Sequence, residues 1–173
     1  STIIRTQIDS MASEDFYYDL NGQQVQCSGG YYGLRREFNT EGQNTSLTFF
    51  DKDGHAVSTS SGYAIKTYQR DMDGTIVGEQ YFDTEGNPAR SLLSQYGELY
   101  QRNEQGYIGQ ITYLGADGKP TPTNAGYTIL KRTYHRDGTA DTDMYFDANG
   151  NPKALSKGQY GIKRSGKVNL LLD

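Results

Sequence analysis

The chain has 173 residues, a formal charge of −4 and an apolar content of only 34%. It carries no basic block and no apolar run near 18 residues, so neither a nucleic-acid partner nor membrane insertion is expected. Its apolar surface sits in 15 tyrosines and 6 phenylalanines without a tryptophan, which suits a shallow structure packed neighbour on neighbour rather than a thick core.

Residues 1–16 match the second half of a repeat unit, with Ser10 where a turn glycine would stand. A glycine then returns every 32 residues, at Gly22, Gly54, Gly86, Gly118 and Gly150, and a second series runs through Gly42, Gly74, Gly106 and Gly138. An aromatic residue keeps step at Tyr17, Phe49, Tyr81, Tyr113 and Tyr145. An aspartate follows at Asp19, Asp51, Asp83 and Asp147, with Gly115 as the exception. A fixed period of this length marks stacked repeats. The expected fold is all-β: tandem 32-residue β-hairpin repeats in a solenoid-like or extended antiparallel array over 1–173. The units are 17–48, 49–80, 81–112 and 113–144, after the partial unit 1–16 and before a shortened capping unit at 145–173.

Within unit 49–80, Phe49-Phe50 ends a strand and Asp51-Lys52-Asp53-Gly54 makes a turn, the aspartate bonding to its own backbone. A short segment, His55–Ser58, leaves that turn, and Thr59–Gly62 forms a loop. Tyr63–Arg70 and Thr75–Phe82 are the two strands of a long hairpin around an Asp71–Gly74 turn. Pro88, Pro120 and Pro152 each follow a turn glycine by two residues, which takes the short segment out of a regular ladder early. The last hairpin is expected to turn early, at Arg164-Ser165-Gly166-Lys167, and to end in Leu170-Leu171-Leu172. A weaker alternation overlies the period. Tyr-Gly stands at 32–33, 96–97 and 160–161, whereas Gly-Tyr-x-Ile stands at 62–65 and 126–129, a spacing of 64. Units three and five also share a leucine-bearing loop, at Leu92-Leu93 and Leu155.

The candidate ligand-binding residues are tyrosines that flank the glycine-rich loops: Tyr31, Tyr63 and Tyr127 at one repeat position, Tyr32, Tyr96 and Tyr160 at the next. Such rings either pack between repeats or present a face to a ligand. The turns Asp51-x-Asp53-Gly54 and Asp71-x-Asp73-Gly74 resemble the start of a calcium loop. No glutamate closes either at the required distance, so they read as turn chemistry and no metal is expected. His55 and His135 stand at different repeat positions, and no zinc spacing, nucleophile elbow or phosphate loop occurs. Neither an enzyme nor a cofactor is expected. Cys27 is the single cysteine, which rules out an internal disulfide and is compatible with a secreted bacterial protein. The start at Ser1 reads as a mature terminus or a piece of a longer protein.

The segments Phe16–Gly22, Tyr81–Pro88 and Tyr145–Pro152 resemble the Tyr-Phe-Asp-x-x-Gly hairpin repeats of bacterial cell-wall-binding proteins, meaning choline-binding, glucan-binding and clostridial toxin modules. They are also similar to the YD repeats of large bacterial surface proteins. Those cell-wall modules have a shorter period, and their ligand sites lean on tryptophan, which this chain lacks. The resemblance implies a non-catalytic, extracellular or surface-exposed bacterial module. Its partner would be a cell-wall polysaccharide or teichoic-acid-like polymer, bound through the repeated tyrosines. The alternative is a structural spacer, or a module docking a protein partner.

Overall fold

The computed structural model describes residues 2–92, 95–165 and 168–172, with the side chains of 165 and 168–170 left aside. The chain divides into two compact units, residues 1–92 and 93–173. The described structure is all-β, with no helix among the described residues.

The first unit holds six strands: β1 (Thr2–Asp9), β2 (Ala12–Tyr18), β3 (Gly33–Phe38), β4 (Asn44–Phe50), β5 (Ile65–Arg70) and β6 (Ile76–Phe82). Each pairs antiparallel with the next in sequence. The second unit repeats the plan with β7 (Gly97–Arg102), β8 (Ile108–Leu114), β9 (Ile129–Tyr134), β10 (Ala140–Phe146), β11 (Gly161–Ser165) and β12 (Val168–Leu172). The expected strand over 63–70 is trimmed to Ile65–Arg70, because Tyr63 is drawn into the preceding turn. Of the expected last turn, Gly166 and Lys167 lie outside the described residues, as does Leu93 of the leucine loop.

Three kinds of turn return the chain. At a hairpin tip, Asn39 Oδ1 accepts the Gln43 amide at 2.8 Å, and the Gly42 amide bonds back to the Asn39 carbonyl. Gly42 takes φ +74, the left-handed region that a side chain resists. Beyond the aromatic residues, Asp51 Oδ1 accepts the Asp53 and His55 amides, both at 2.9 Å. The same double acceptance recurs at Asp19, Asp83 and Asp147. The Asn87 side-chain amide at Asp83, and backbone amides first at Asp19, Asp51 and Asp147, hold these carboxyls below their usual range. The chain then makes one isolated bridge to the strand it left, at Phe50–Ala56 and, with the prolines, at Phe82–Pro88, Leu114–Pro120 and Phe146–Pro152. The segment read as a loop at Thr59–Gly62 is a third tight turn: the Thr59 amide donates to the Tyr63 carbonyl, and the Gly62 amide to that of Thr59.

Strand pairing fixes which side chains share a face. In the first unit Tyr17, Asp15, Leu34, Arg36, Leu47, Phe49, Lys66 and Tyr81 share one face across successive strands. Ala12, Leu34, Phe49, Ala64 and Tyr81 are its buried apolar residues. In the second unit Tyr113, Leu130 and Tyr145 form the core, with Ile111, Tyr127, Leu155 and Ile162 packed against them.

Candidate functional site

The tyrosines singled out from the sequence fall into two structural sets. Tyr31, Tyr63 and Tyr127 each follow the third turn, which folds the ring back over the strands. There they lie between the rings that head the hairpins. Tyr31 sits 6.1 Å from Tyr17 and 4.8 Å from Phe49, centroid to centroid. Tyr63 sits 6.1 Å from Phe49 and 4.6 Å from Tyr81, nearly parallel to the latter at 16°. The first unit therefore carries an unbroken run of five rings. In the second unit Tyr127 lies 5.5 Å from Tyr113 and 4.6 Å from Tyr145. Partial burial pushes the hydroxyls of Tyr31, Tyr63 and Tyr127 above the usual phenol value, so they are neutral hydrogen-bonding groups at physiological pH.

Tyr32, Tyr96 and Tyr160 are half-buried and locked by their backbones. Their amides donate to the carbonyls of Phe50, Leu114 and Leu172 at 2.8, 2.9 and 2.6 Å. Thus the six tyrosines do not converge on one pocket; three are the interior rungs of ring stacks and three edge the strands.

Two charge clusters share the face of the ring stacks and were not foreseen from the sequence. Asp15, 1% exposed, accepts two hydrogen bonds from Arg5 at 2.6 and 2.7 Å and one from Arg36 at 2.5 Å. Asp143 repeats the arrangement with Arg132 at 2.6 and 2.9 Å and Arg164 at 2.6 Å. The Arg5 hydrogen bonds lead in holding the Asp15 carboxyl at about 2. Burial alone would raise the Asp143 carboxyl, but Arg132 and Arg164 outweigh it and hold that group below its usual range. Removing either carboxylate would leave guanidinium groups without their partner, so these clusters are structural staples. The available signal was that Asp15/Asp143 and Arg36/Arg164 are each 128 residues apart, four periods of 32.

One open groove combines two rings with an arginine. At the tips of the β7–β8 and β9–β10 hairpins, Tyr107 and Tyr134 pack at 4.8 Å, and the Tyr134 hydroxyl donates to the Ile108 carbonyl at 2.7 Å. With Gln105, His135 and Arg136 they line a cavity of about 240 Å³. His135 Nε2 lies 3.5 Å from Asp141, while Arg136 is exposed. In the first unit the corresponding tips are joined by Arg70, whose guanidinium donates to the Asn44 carbonyl at 2.8 Å. The lining there is acidic, with Glu41, Asp71 and Asp73.

The half-buried Cys27 thiol is pushed up by burial, which disfavours a reactive thiolate. Among the described residues, no helix is long and apolar enough to cross a membrane. No protein-family model matches the chain, and neither does any curated protein sequence.

Proposed function

We propose that the chain is a non-catalytic module of 32-residue hairpin repeats, exposed on a bacterial surface as part of a larger protein. In it the repeated tyrosines hold successive hairpins together, and the array serves as a spacer or a protein-docking segment. The observation that carries this reading is the run of rings from Tyr17 through Tyr31, Phe49 and Tyr63 to Tyr81. An interior ring with a ring on either side spends part of its surface on those neighbours, and the Tyr63 face that stacks on Tyr81 is not available to a sugar. The repetition itself points the same way, since stacked hairpins need one apolar contact per step. The test is titration with choline, teichoic-acid fragments and glucans, read by tyrosine fluorescence. No saturable change is expected; one that Tyr31→Ala or Tyr63→Ala abolishes in a folded protein overturns the reading.

A second reading, recognition of a cell-wall polymer or other glycan, is favoured by one feature, the groove of Tyr107, Tyr134, His135 and Arg136. Tyr107 is 39% exposed and offers ring surface beside the exposed Arg136. Binding at one such groove would be weak, and avidity would need further copies of it in the larger protein. The same titration separates the readings: a response lost in Tyr107→Ala but retained in Tyr31→Phe supports the groove and replaces the spacer.

A further inference from the structure

Of the 15 tyrosines, all of them among the described residues, Tyr107 alone is exposed. Its ring nevertheless touches a second phenol, Tyr134 of the next hairpin, with 4.8 Å between centroids and 33° between planes. Both rings are held in that contact. The Tyr107 amide donates to Asn103 Oδ1 at 2.9 Å, and its hydroxyl rests against Gly138, where an added Cβ would lie 2.7 Å from it. The Tyr134 hydroxyl donates to the Ile108 carbonyl at 2.7 Å. At the matching tips of the first unit Gln43 and Arg70 stand in place of the two rings. An exposed phenol pinned against another phenol, on a different hairpin and beside an open groove, is a reactive arrangement toward one-electron oxidants.

We propose that Tyr107 and Tyr134 form an oxidative cross-linking site, joined ring to ring as dityrosine by hydrogen peroxide and a haem peroxidase. The peroxidase takes one electron from a ring while the hydroxyl proton leaves to water in the groove, and it does so twice. Tyr107 meets the oxidant. An electron from Tyr134 refills it across the ring contact, and a second oxidation at Tyr107 completes a pair of phenoxyl radicals. A bond forms between one ortho carbon of each ring, and the two ring hydrogens released there move to the phenoxyl oxygens. Two tyrosines and one hydrogen peroxide thus give one dityrosine and two waters. Contact between the rings replaces the diffusional encounter of two scarce radicals. Tyr63 with Tyr81 and Tyr127 with Tyr145 are as close, at 4.6 Å, but Tyr81 and Tyr145 are buried. Burial also pushes up the hydroxyls of Tyr63, Tyr127 and Tyr145, so those phenols shed a proton less readily. The bond would tie the tip of β7–β8 to that of β9–β10 within the second unit and restrict its unfolded chain. It does not depend on whether the groove takes a glycan.

The test treats the full chain, at low concentration, with hydrogen peroxide and a haem peroxidase under conditions that couple free tyrosine. Dityrosine fluorescence, denaturing gels and mass mapping of digests read the product. Dityrosine is expected in the monomer band, mapped to Tyr107 and Tyr134, and formed roughly tenfold or more faster than in Tyr107→Phe or Tyr134→Phe. Tyr63→Phe, which keeps its ring in the buried stack, should match the parent. Circular dichroism checks that each variant is folded, and Tyr107→Phe leaves the Tyr134 hydrogen bond to Ile108 in place. Absence of dityrosine overturns the proposal. So does a link mapped to another pair, dityrosine confined to covalent dimers, or a rate that Tyr107→Phe leaves unchanged.

Discussion

Replacing Asp15 by asparagine keeps the shape of a side chain that is 1% exposed and removes the charge that holds Arg5 and Arg36. The carboxyl is held at about 2 against an ordinary 3.8. At about 1.36 kcal/mol per tenfold change in proton affinity, that gap is worth roughly 2 kcal/mol. The pKa is depressed in the folded state, so the stabilisation is fully present above pH 4. It is lost as pH falls from about 4 to about 2, where the folded-state carboxyl is itself protonated. The assay is urea unfolding of the parent and Asp15→Asn at pH 7, 5, 3 and 2, with the Asp15 carboxyl followed by NMR. The parent should exceed the variant by about 2 kcal/mol or more at pH 7, and the excess should shrink by about 2 kcal/mol between pH 4 and pH 2. A difference that does not vary with pH, or an Asp15 carboxyl titrating near 4, would refute the reasoning. The loss would then belong to packing and not to the ion cluster.

Tyr63→Ala should cost about 2–4 kcal/mol in denaturant unfolding, since it empties a place between Phe49 and Tyr81, whereas Tyr63→Phe should cost well under half of that. Gly33→Ala should destabilise by about 1–3 kcal/mol in the same assay, because the added Cβ meets the Phe16 ring and lies 2.8 Å from the Asp15 carbonyl oxygen. Asp51→Ala should leave global stability nearly untouched but speed amide exchange at Asp53 and His55 several-fold, since both amides lose their acceptor.

The turns were readable in the sequence because their causes are local. An aspartate that accepts the amides two and four residues on, and a glycine that closes the turn, lie within one short stretch of chain. The third turn carried a similar glycine at 30, 62, 126 and 158 but was read only as a loop, because its polar residues vary from unit to unit. The ring stacks were half readable: the spacing of the tyrosines was plain, but whether they faced ligand or neighbour depends on where the turn sends the chain. The arginine staples were hidden by a slip. Arg5 and Arg132 each pair across a strand with their aspartate, yet they are 127 residues apart rather than 128. The reason is the tighter first hairpin, in which the Met11 amide bonds to Asp9 Oδ1 and one residue fewer separates arginine from aspartate.

The alternation at 64 residues acquires a physical meaning from the strand starts. Where β3 begins with Gly33, the rings of Phe16 and Phe50 close over it, 6.3 Å apart and 15° from parallel. Where β5 and β9 begin with Ile65 and Ile129, the side chain covers that spot itself, and the preceding residue shrinks to the fully buried Ala64 or Thr128 in place of tyrosine. A large residue before a glycine and a small one before an isoleucine are thus two ways of covering the same stretch of strand. The hairpin tips follow the same step, with Arg70 reaching the Asn44 carbonyl and Tyr134 reaching that of Ile108, 64 positions on. The tips nevertheless differ in lining, with Glu41, Asp71 and Asp73 in the first unit and Tyr107, His135 and Arg136 in the second, so the second unit's groove is not repeated there. The 64-residue step thus repeats the contact that ties neighbouring tips together, Arg70 or Tyr134 to a carbonyl across the hairpins, and not the residues a ligand would meet.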